Sequence, residues 1–190
     1  DATDAMVGVR IHFDEGWQGR LTNAVDSGAE VIHLLADLHG RDSDGTFVSA
    51  LFKEAHMLLI EQGRRDTVTL LGGGGIVGAD HVPKAIISGM DAVALDLPVL
   101  FAIQGRSRGS LKHRDKVRGK LPKNLDHGWA VQRLTNLCGS WRDQLLEILG
   151  AMGIREVRRL RGEFGRSMIV KHLEDEAFEG ILGYHGGEYA

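Results

Sequence analysis

The feature that most constrains this chain is an alternation of strand-length apolar runs with segments of helical period. Four runs read as strands: MVGVRIHF (6–13), EVIHLLAD (30–37), DTVTLL (66–71) and DAVALDL (91–97). Three helical patterns lie between them and each ends at a glycine: 17–28, 47–63 and 78–89. Buried apolar strands that alternate with amphipathic helices predict an α/β fold with a parallel sheet and right-handed crossovers.

Two architectures fit this alternation, an open doubly wound sheet or consecutive units of a (β/α)8 barrel. The parallel part is expected to occupy residues 1–104, whereas a complete barrel needs roughly 200 residues or more. If the fold is a barrel, the chain holds four βα units, which is half of it. The sequence also starts at Asp1 and not at Met, which suggests a fragment whose upstream part supplies the other half.

The character of the chain changes after the parallel part. Residues 105–125 are predicted to form a basic loop, because eight Lys or Arg and one acid fall within 105–123 of a chain whose net charge is -3. A solvated loop, a protein-docking surface and a nucleic-acid contact stay open for it, although no aromatic residue is there to stack on bases. Residues 126–190 are predicted to be a C-terminal helical extension, with a long helix over 127–153, and an acidic tail.

Composition excludes several classes of site. The lone cysteine, Cys138, excludes a disulfide framework and any all-cysteine iron–sulfur or zinc site within this chain. The nine histidines form no metal-binding spacing, and we expect His33 and Asp37 on one strand face to be a hydrogen-bonded pair. No run approaches the roughly 18 apolar residues of a membrane span. A cytoplasmic protein without a membrane or nucleic-acid partner is the expectation.

A run of glycines follows the third strand in TLLGGGGIVGADHVPKAI (69–86). Glycine lacks Cβ, so a ligand can approach the backbone closely and amides can turn outward. At the end of a strand and before a helix such amides form an anion cradle, and barrels commonly bind phosphate in the loops after strands 7 and 8. The alternative is a tight βα turn against crowded neighbours, and both interpretations stay open here.

The segment EQGRRDTVTLLGGGGIVGADHVPKAIISGMDAVALDLPVLFAI resembles the last two βα units of the FMN-binding barrel of the glutamate synthases. The segment WAVQRLTNLCGSWRDQLLEILGAMGIREVRRLRGE is similar to the helices that close that domain. The resemblance covers roughly residues 6–164 and is strongest over 61–104 and 129–163. It favours the carboxyl-terminal half of a TIM-type barrel that is followed by C-terminal helices.

This resemblance implies specific cofactor contacts. Gly73, Gly74 and Gly75 would contact the FMN phosphate or ribityl chain, and Asp96 and Leu97 take the place of the loop that supplies further amides. Arg10 falls where the family has a lysine that points at the pyrimidine edge of the flavin. A cation there would stabilise the reduced, anionic ring.

The sequence also departs from the family pattern. Asp96 stands where a glycine is expected, and it would repel a phosphate unless a cation or a proton intervenes. The loop after the second strand is ADLHGRDSDG instead of a Gly- and Thr-rich sequence, and its His39 and Arg41 become candidates for binding a substrate carboxylate. The cysteines of the family's iron–sulfur cluster are absent, so no cluster is expected to be ligated by this chain.

The leading hypothesis is therefore an FMN-dependent oxidoreductase of glutamate synthase type that acts on a small amino or oxo acid, and an electron-donor protein or subunit is a possible partner. The catalytic residues are unknown, and no metal site is expected. One alternative is a cofactor-free scaffold or interaction subunit, which Asp96 and the missing cysteines favour. Another is a barrel lyase or isomerase that binds a phosphorylated substrate through the glycines.

Overall fold

A computed structural model describes residues 6–164 of the chain. The helices and strands follow in the order β1 (Gly8–His12), α1 (Trp17–Asp26), β2 (Val31–Leu35), α2 (Val48–Glu61), β3 (Thr69–Gly73), α3 (His81–Ile87), β4 (Ala92–Ala94), α4 (Leu97–Ala102), β5 (Arg106–Arg108), β6 (Arg118–Lys120) and α5 (His127–Ala151). Short 3-10 helices occupy Arg65–Thr67, Arg114–Lys116 and Val157–Leu160. The predicted alternation of four strands with helices, followed by C-terminal helices, is confirmed.

Strands β1 to β4 form one sheet in which all neighbours are parallel and the spatial order is the chain order. In a doubly wound sheet the direction of strand addition reverses at a switch point, whereas in a barrel each strand is added beside the previous one. The four βα units therefore form half of a TIM-type barrel, and the open doubly wound alternative is excluded for these strands.

The two faces of the sheet have different chemistry. The face that packs on α1 and α2 carries the apolar side chains that alternation predicts, and they are almost completely buried. Its core comprises Ile11, Ile32, Leu34 and Leu70 from the strands together with Leu21, Phe52 and Leu59 from the helices. Each such side chain contributes roughly 1.5–3 kcal/mol through burial. The opposite face, which corresponds to the barrel interior, carries the polar residues discussed below.

The C-terminal helices attach to the parallel part through a second, smaller core. Ile86 and Ile87 of α3 pack against Leu149 of α5 and against Leu160, which is fully buried. This core holds the end of the long helix against α3, although most of the residues of α5 are exposed.

A network of ion pairs reinforces this attachment. Arg65 is only 4% exposed and donates from Nη2 to Asp91 Oδ2 at 2.7 Å and to the Gly89 carbonyl at 2.8 Å. Its Nε donates to His56 Nδ1 at 2.9 Å and its Nη1 to the Val68 carbonyl at 3.0 Å. Arg161 adds a 2.7 Å bond to Asp91 Oδ1. The segment after α5 is thereby fixed to the start of β4.

Two local features differ from the sequence-based expectations. The fourth strand is shorter than the predicted 91–97, because Asp96 leaves the extended conformation and caps α4, a six-residue helix with Pro98 in its first turn. Residues 105–125 contain the antiparallel pair β5–β6. The predicted acidic tail, which begins at residue 173, lies outside the described residues and stays a prediction.

Candidate functional site

The barrel-interior face of the sheet carries a row of basic side chains. Arg10 and His12 lie on β1, and His33 on β2 is the register partner of Arg10. Arg10 and His12 are exposed and His33 is half-buried. Strand alternation predicts that Arg10 and His12 share this face, because side chains two residues apart point the same way. Arg10 therefore gives this face a positive charge at its β1–β2 side.

The glycine run forms the end of β3, and its glycines are required by close packing. A Cβ on Gly73 would lie 2.7 Å from His33 Nε2, and one on Gly74 would lie 2.7 Å from the Asp37 carbonyl oxygen. A Cβ on Gly75 would lie 2.7 Å from the Gly40 Cα. Gly74 and Gly75 also have positive φ of 103° and 69°. The crowded-turn interpretation therefore accounts for the absence of side chains at these three positions.

The amides of this loop are nevertheless available. Within residues 6–164, neither the Gly74 nor the Gly75 amide donates a hydrogen bond to a backbone carbonyl. Buried backbone N–H groups are almost always paired with protein, water or ligand. Two adjacent amides of this kind at the end of a strand are a suitable contact for an anion.

Asp96 follows β4, and both of its carboxylate oxygens accept hydrogen bonds from within the chain. Oδ1 accepts a 2.6 Å hydrogen bond from the Leu97 amide, which caps α4, and Oδ2 accepts a 2.8 Å bond from Arg114 Nη1. The Leu97 amide, expected from the resemblance to face a phosphate, is thus engaged inside the chain. Asp96 is 32% exposed and Leu97 is buried.

Arg114 was missed by the sequence analysis and is central to the geometry. It belongs to the basic segment 105–123, and its Nε donates to the Ala36 carbonyl at 2.6 Å while Nη1 holds Asp96. The signal that could have found it is Asp96 itself, since a carboxylate beside an anion site needs a cation and the densest run of cations follows it in sequence.

The pKa values of both histidines on this face are lowered. Partial desolvation, followed by the nearby charges of Arg114 and Arg10, lowers the pKa of His12, although its side chain stays largely exposed. Burial, followed by Arg10 and Arg114, also lowers the pKa of His33, although the Asp96 carboxylate acts in the opposite direction. Both groups would gain a proton more easily if an anion were bound between these cations.

The loop after β2 is ordered by Asp37. Its Oδ1 accepts hydrogen bonds of 2.8 Å from the amides of His39 and Arg41, so the predicted His33–Asp37 pair is wrong because the carboxylate turns toward its own loop. Arg41 Nη1 bonds the Gly45 carbonyl at 2.6 Å. The side chain of His39 is exposed.

A cavity of about 520 Å³ opens between this loop, the end of β1 and the basic segment. Its lining includes His12, Asp37, Arg41, Lys112 and Arg114. Arg41 is therefore brought to the same cavity as Arg114, whereas His39 is not among its lining residues. The roles expected for Arg10, for the glycines and for the remaining site residues stay predictions.

Residues 6–164 contain neither a metal-binding cluster nor a membrane-spanning helix. No group of three or more His, Cys, Asp or Glu side chains there is arranged to hold a metal ion. No helix in the same range has the length and apolar character needed to cross a bilayer.

Proteins named archaeal or archaeal-type glutamate synthase (NADPH) are similar in sequence to this chain. One from Methanocaldococcus jannaschii is 30% identical over 132 residues, which cover 66% of this chain and 26% of that protein. One from Archaeoglobus fulgidus is 31% identical over 155 residues, 77% of this chain and 29% of that protein. One from Thermotoga maritima is 28% identical over 174 residues, with coverages of 82% and 34%. The chain thus spans about a quarter to a third of the curated relatives it matches. No protein-family model matches it.

Solved structures share the fold at low identity. A mutant flavocytochrome b2 with pyruvate bound superposes with a TM-score of 0.57 and 17% identity, over 85% of this chain and 34% of that one. A mandelate oxidase variant superposes with a TM-score of 0.52 and 20% identity, over 84% of this chain and 38% of the other. At this identity the likeness supports the half-barrel architecture.

Proposed function

Because the chain is a homologue of the archaeal-type glutamate synthases, we propose that it forms the carboxyl-terminal half of an FMN-dependent oxidoreductase barrel that acts on a small amino or oxo acid. The observation that carries this proposal is the unfinished hydrogen bonding at the carboxyl ends of β2 and β3. Among the described residues, His33 Nε2 and Arg114 Nη2 are buried polar atoms without a partner.

The residues present suit the anionic end of FMN. The Gly74 and Gly75 amides are free of backbone acceptors in the described part of the chain, and the Arg114 guanidinium lies at the same edge. Asp96 would oppose a phosphate, but its charge is balanced by Arg114 at 2.8 Å. The Cβ positions of the glycines are filled by protein atoms, so the cradle consists of N–H groups and not of open space.

The basic face suits the other end of the cofactor. FMN, when bound, supplies a ring that accepts and returns a pair of electrons with a proton. Arg10 would hold a positive charge near that ring, and it forms no ion pair with an acid of residues 6–164. His12 and His33, whose pKa values are lowered by desolvation and by neighbouring cations, would take up a proton more readily as negative charge arrives.

We further propose that the substrate carboxylate binds at the cavity of about 520 Å³, with Arg41 as its contact. Arg41 is exposed, lines this cavity and is anchored through the Gly45 carbonyl. His39 lies on the same loop, and its contribution requires the loop to turn its side chain inward. A bidentate guanidinium–carboxylate contact would orient an amino or oxo acid.

The pair β5–β6 is the proposed docking surface for an electron-donor protein. Its register sets Arg106 opposite Lys120 and Arg108 opposite Arg118, so four cations share one face. Like charges directly opposite each other destabilise a strand pair unless a counter-charge is supplied. An acidic surface on the donor would provide that counter-charge.

The decisive experiment is performed on the full-length protein that contains this chain. We expect the purified protein to show the two visible absorption bands of oxidised flavin and to release FMN, not FAD, on denaturation, at about one per chain. Arg41→Gln should raise KM for the amino or oxo acid with flavin content unchanged, while Arg142→Gln, which changes an exposed arginine of α5 outside both proposed surfaces, serves as the matched control.

Two results would replace this proposal by the alternatives. A colourless protein that binds neither flavin nor phosphate would favour the scaffold, in which Arg114 and Asp96 are only a structural pair. A colourless protein that binds inorganic phosphate or a phosphorylated metabolite would favour the barrel lyase or isomerase. A substitution of Gly74 would not separate these outcomes, since a Cβ at that position meets backbone atoms within 3 Å and would disturb the fold.

A further inference from the structure

The basic segment 105–123 crosses the carboxyl edge of the half-barrel. The Leu111 carbonyl accepts a 3.0 Å hydrogen bond from the Leu38 amide, just beyond β2. Three residues later, Arg114 Nε reaches the Ala36 carbonyl at 2.6 Å. These two contacts fix the middle of the segment against the strand ends, whereas its flanks pair with each other as β5 and β6.

Arg114 lies across the end of β3. It bonds Ala36, which follows β2, and Asp96, which follows β4. Because β3 is the strand between β2 and β4, a guanidinium that contacts both must span the end of β3, where Gly73 and Gly74 lie. The side chain of Arg114 is 20% exposed, so its charge is largely removed from water.

The hydrogen bonding of this guanidinium is incomplete. An arginine offers five N–H donors. Here Nε and Nη1 are used, but Nη2 is buried and has no partner among the described residues, and the same holds for His33 Nε2. A buried charged donor left unpaired is costly, so the site is built for one more acceptor. An oxyanion satisfies this need, since it accepts several hydrogen bonds at once.

We propose that Arg114 binds the terminal phosphate of the flavin and compensates Asp96, so that a side chain from the basic segment supplies the contact for which the Leu97 amide is not free. This inference rests on the proposed function. The phosphate would lie among Arg114 Nη2 and the amides of Gly74 and Gly75. Asp96 holds the guanidinium in place and at the same time competes with the phosphate for it.

The test compares FMN with riboflavin, which has the same ring and ribityl chain but lacks the phosphate. Dissociation constants are measured by flavin fluorescence in the full-length apoprotein. Arg114→Met should weaken FMN binding by about 10- to 100-fold, the loss typical of one charge-assisted contact, and leave riboflavin binding unchanged. Arg114→Lys should weaken FMN binding less than Arg114→Met does, because lysine retains the charge. Some loss is still expected, since lysine lacks the planar fork of the guanidinium. Asp96→Asn should strengthen FMN binding, because it keeps the cap of α4 and removes the competing carboxylate.

Arg106→Met is the matched control, since it removes one cation of the same segment away from the strand ends and should alter neither constant. Circular dichroism and the melting temperature verify that each variant folds. Equal loss of FMN and riboflavin binding in Arg114→Met would show a purely structural role and overturn the inference while leaving the proposed function intact. Equal affinity of the wild-type protein for both flavins would also overturn it. A wild-type protein that binds neither flavin would overturn the proposed function together with the inference.

Discussion

Two arginine–aspartate clusters lie at opposite ends of the parallel strands and differ in how completely their hydrogen bonds are satisfied. At the amino ends, Arg65 and Arg161 together occupy both oxygens of Asp91, and the Leu70 amide adds a third contact at 2.8 Å. At the carboxyl ends, Asp96 is held by Arg114, which keeps one buried nitrogen without a partner in the described residues.

We interpret the difference as one between a structural cluster and the cluster that we propose to bind a ligand. Burial alone would raise the pKa of Asp91, but the hydrogen bonds from the Leu70 amide, Arg161 and Arg65 lower it overall. Both carboxylate oxygens of Asp91 are thus occupied by protein donors. The Arg114 cluster has fewer internal contacts and a donor without a partner in the described residues, so we expect it to contribute less to stability.

The largest expected effect is on the complete cluster. Asp91→Ala leaves Arg65 buried without its partner, and loss of one member of a buried pair costs about 3–5 kcal/mol. Urea unfolding monitored by circular dichroism measures the change. The matched variant is Asp96→Asn at the other cluster, where the partly exposed pair predicts a loss of about 1 kcal/mol or less. Similar losses in both variants would refute the distinction.

Arg161→Met should have an intermediate effect. This side chain is 33% exposed and bonds both Asp91 and Asp66, so we expect a loss of about 1–2 kcal/mol. Arg158→Met is its control, because the pair with Glu156 is far more exposed and should contribute almost nothing. The midpoints of urea unfolding measure both variants. If Arg158→Met lost as much stability as Arg161→Met, the structural role of Arg161 would be contradicted.

A smaller effect is expected from pH. The pKa values of His12 and His33 are lowered in the folded protein, so the unfolded chain binds more protons as the pH falls below roughly 6.5. Stability of the FMN-free protein should therefore be full above that pH and decline below it. His33→Gln should reduce this decline. Melting temperatures at pH 7.5 and 5.5 test it, and an unchanged decline in the variant would contradict the assignment to His33.

The smallest effect on stability is expected at Arg10. Arg10→Gln should change the free energy of unfolding by no more than about 0.5 kcal/mol, because the side chain is exposed. The same substitution should lower the flavin reduction potential by about 30–60 mV, which corresponds to roughly 1.4–3 kcal/mol for a two-electron couple. An unchanged reduction potential in an anaerobic titration would contradict the proposal that Arg10 lies beside the flavin ring.

Much of the fold was predictable because the spacing of apolar residues along the sequence indicates which side chains are buried. The sheet-forming runs around Ile32 and Leu70 are apolar since both strands are covered by helices, and the helical pattern of α5 follows from its stripe against the core. The short elements were not predictable. α4 has six residues, and the strands β5 and β6 have three each, rich in Arg, Lys and Gly, which have weak strand propensity.

The candidate site was predictable only in part. Gly73 and Asp96 were selected because they end or follow strands whose carboxyl ends meet at one edge, and Arg10 was selected because the resemblance to the glutamate synthases implies a cation at that position. Arg114 was not, because its contact with Ala36 joins residues 78 positions apart and no local pattern encodes it. The loop of Asp37 was misjudged for a similar reason, since a side-chain bond to nearby amides replaced the pair expected with His33.

The most direct test of the account is a crystal structure of the full-length protein with FMN, in which the distance from Arg114 Nη2 to the nearest phosphate oxygen is measured. We expect a hydrogen bond of about 2.7–3.2 Å, with the Gly74 and Gly75 amides directed at the same phosphate. A phosphate bound elsewhere, with Arg114 contacting only Ala36 and Asp96, would contradict the account.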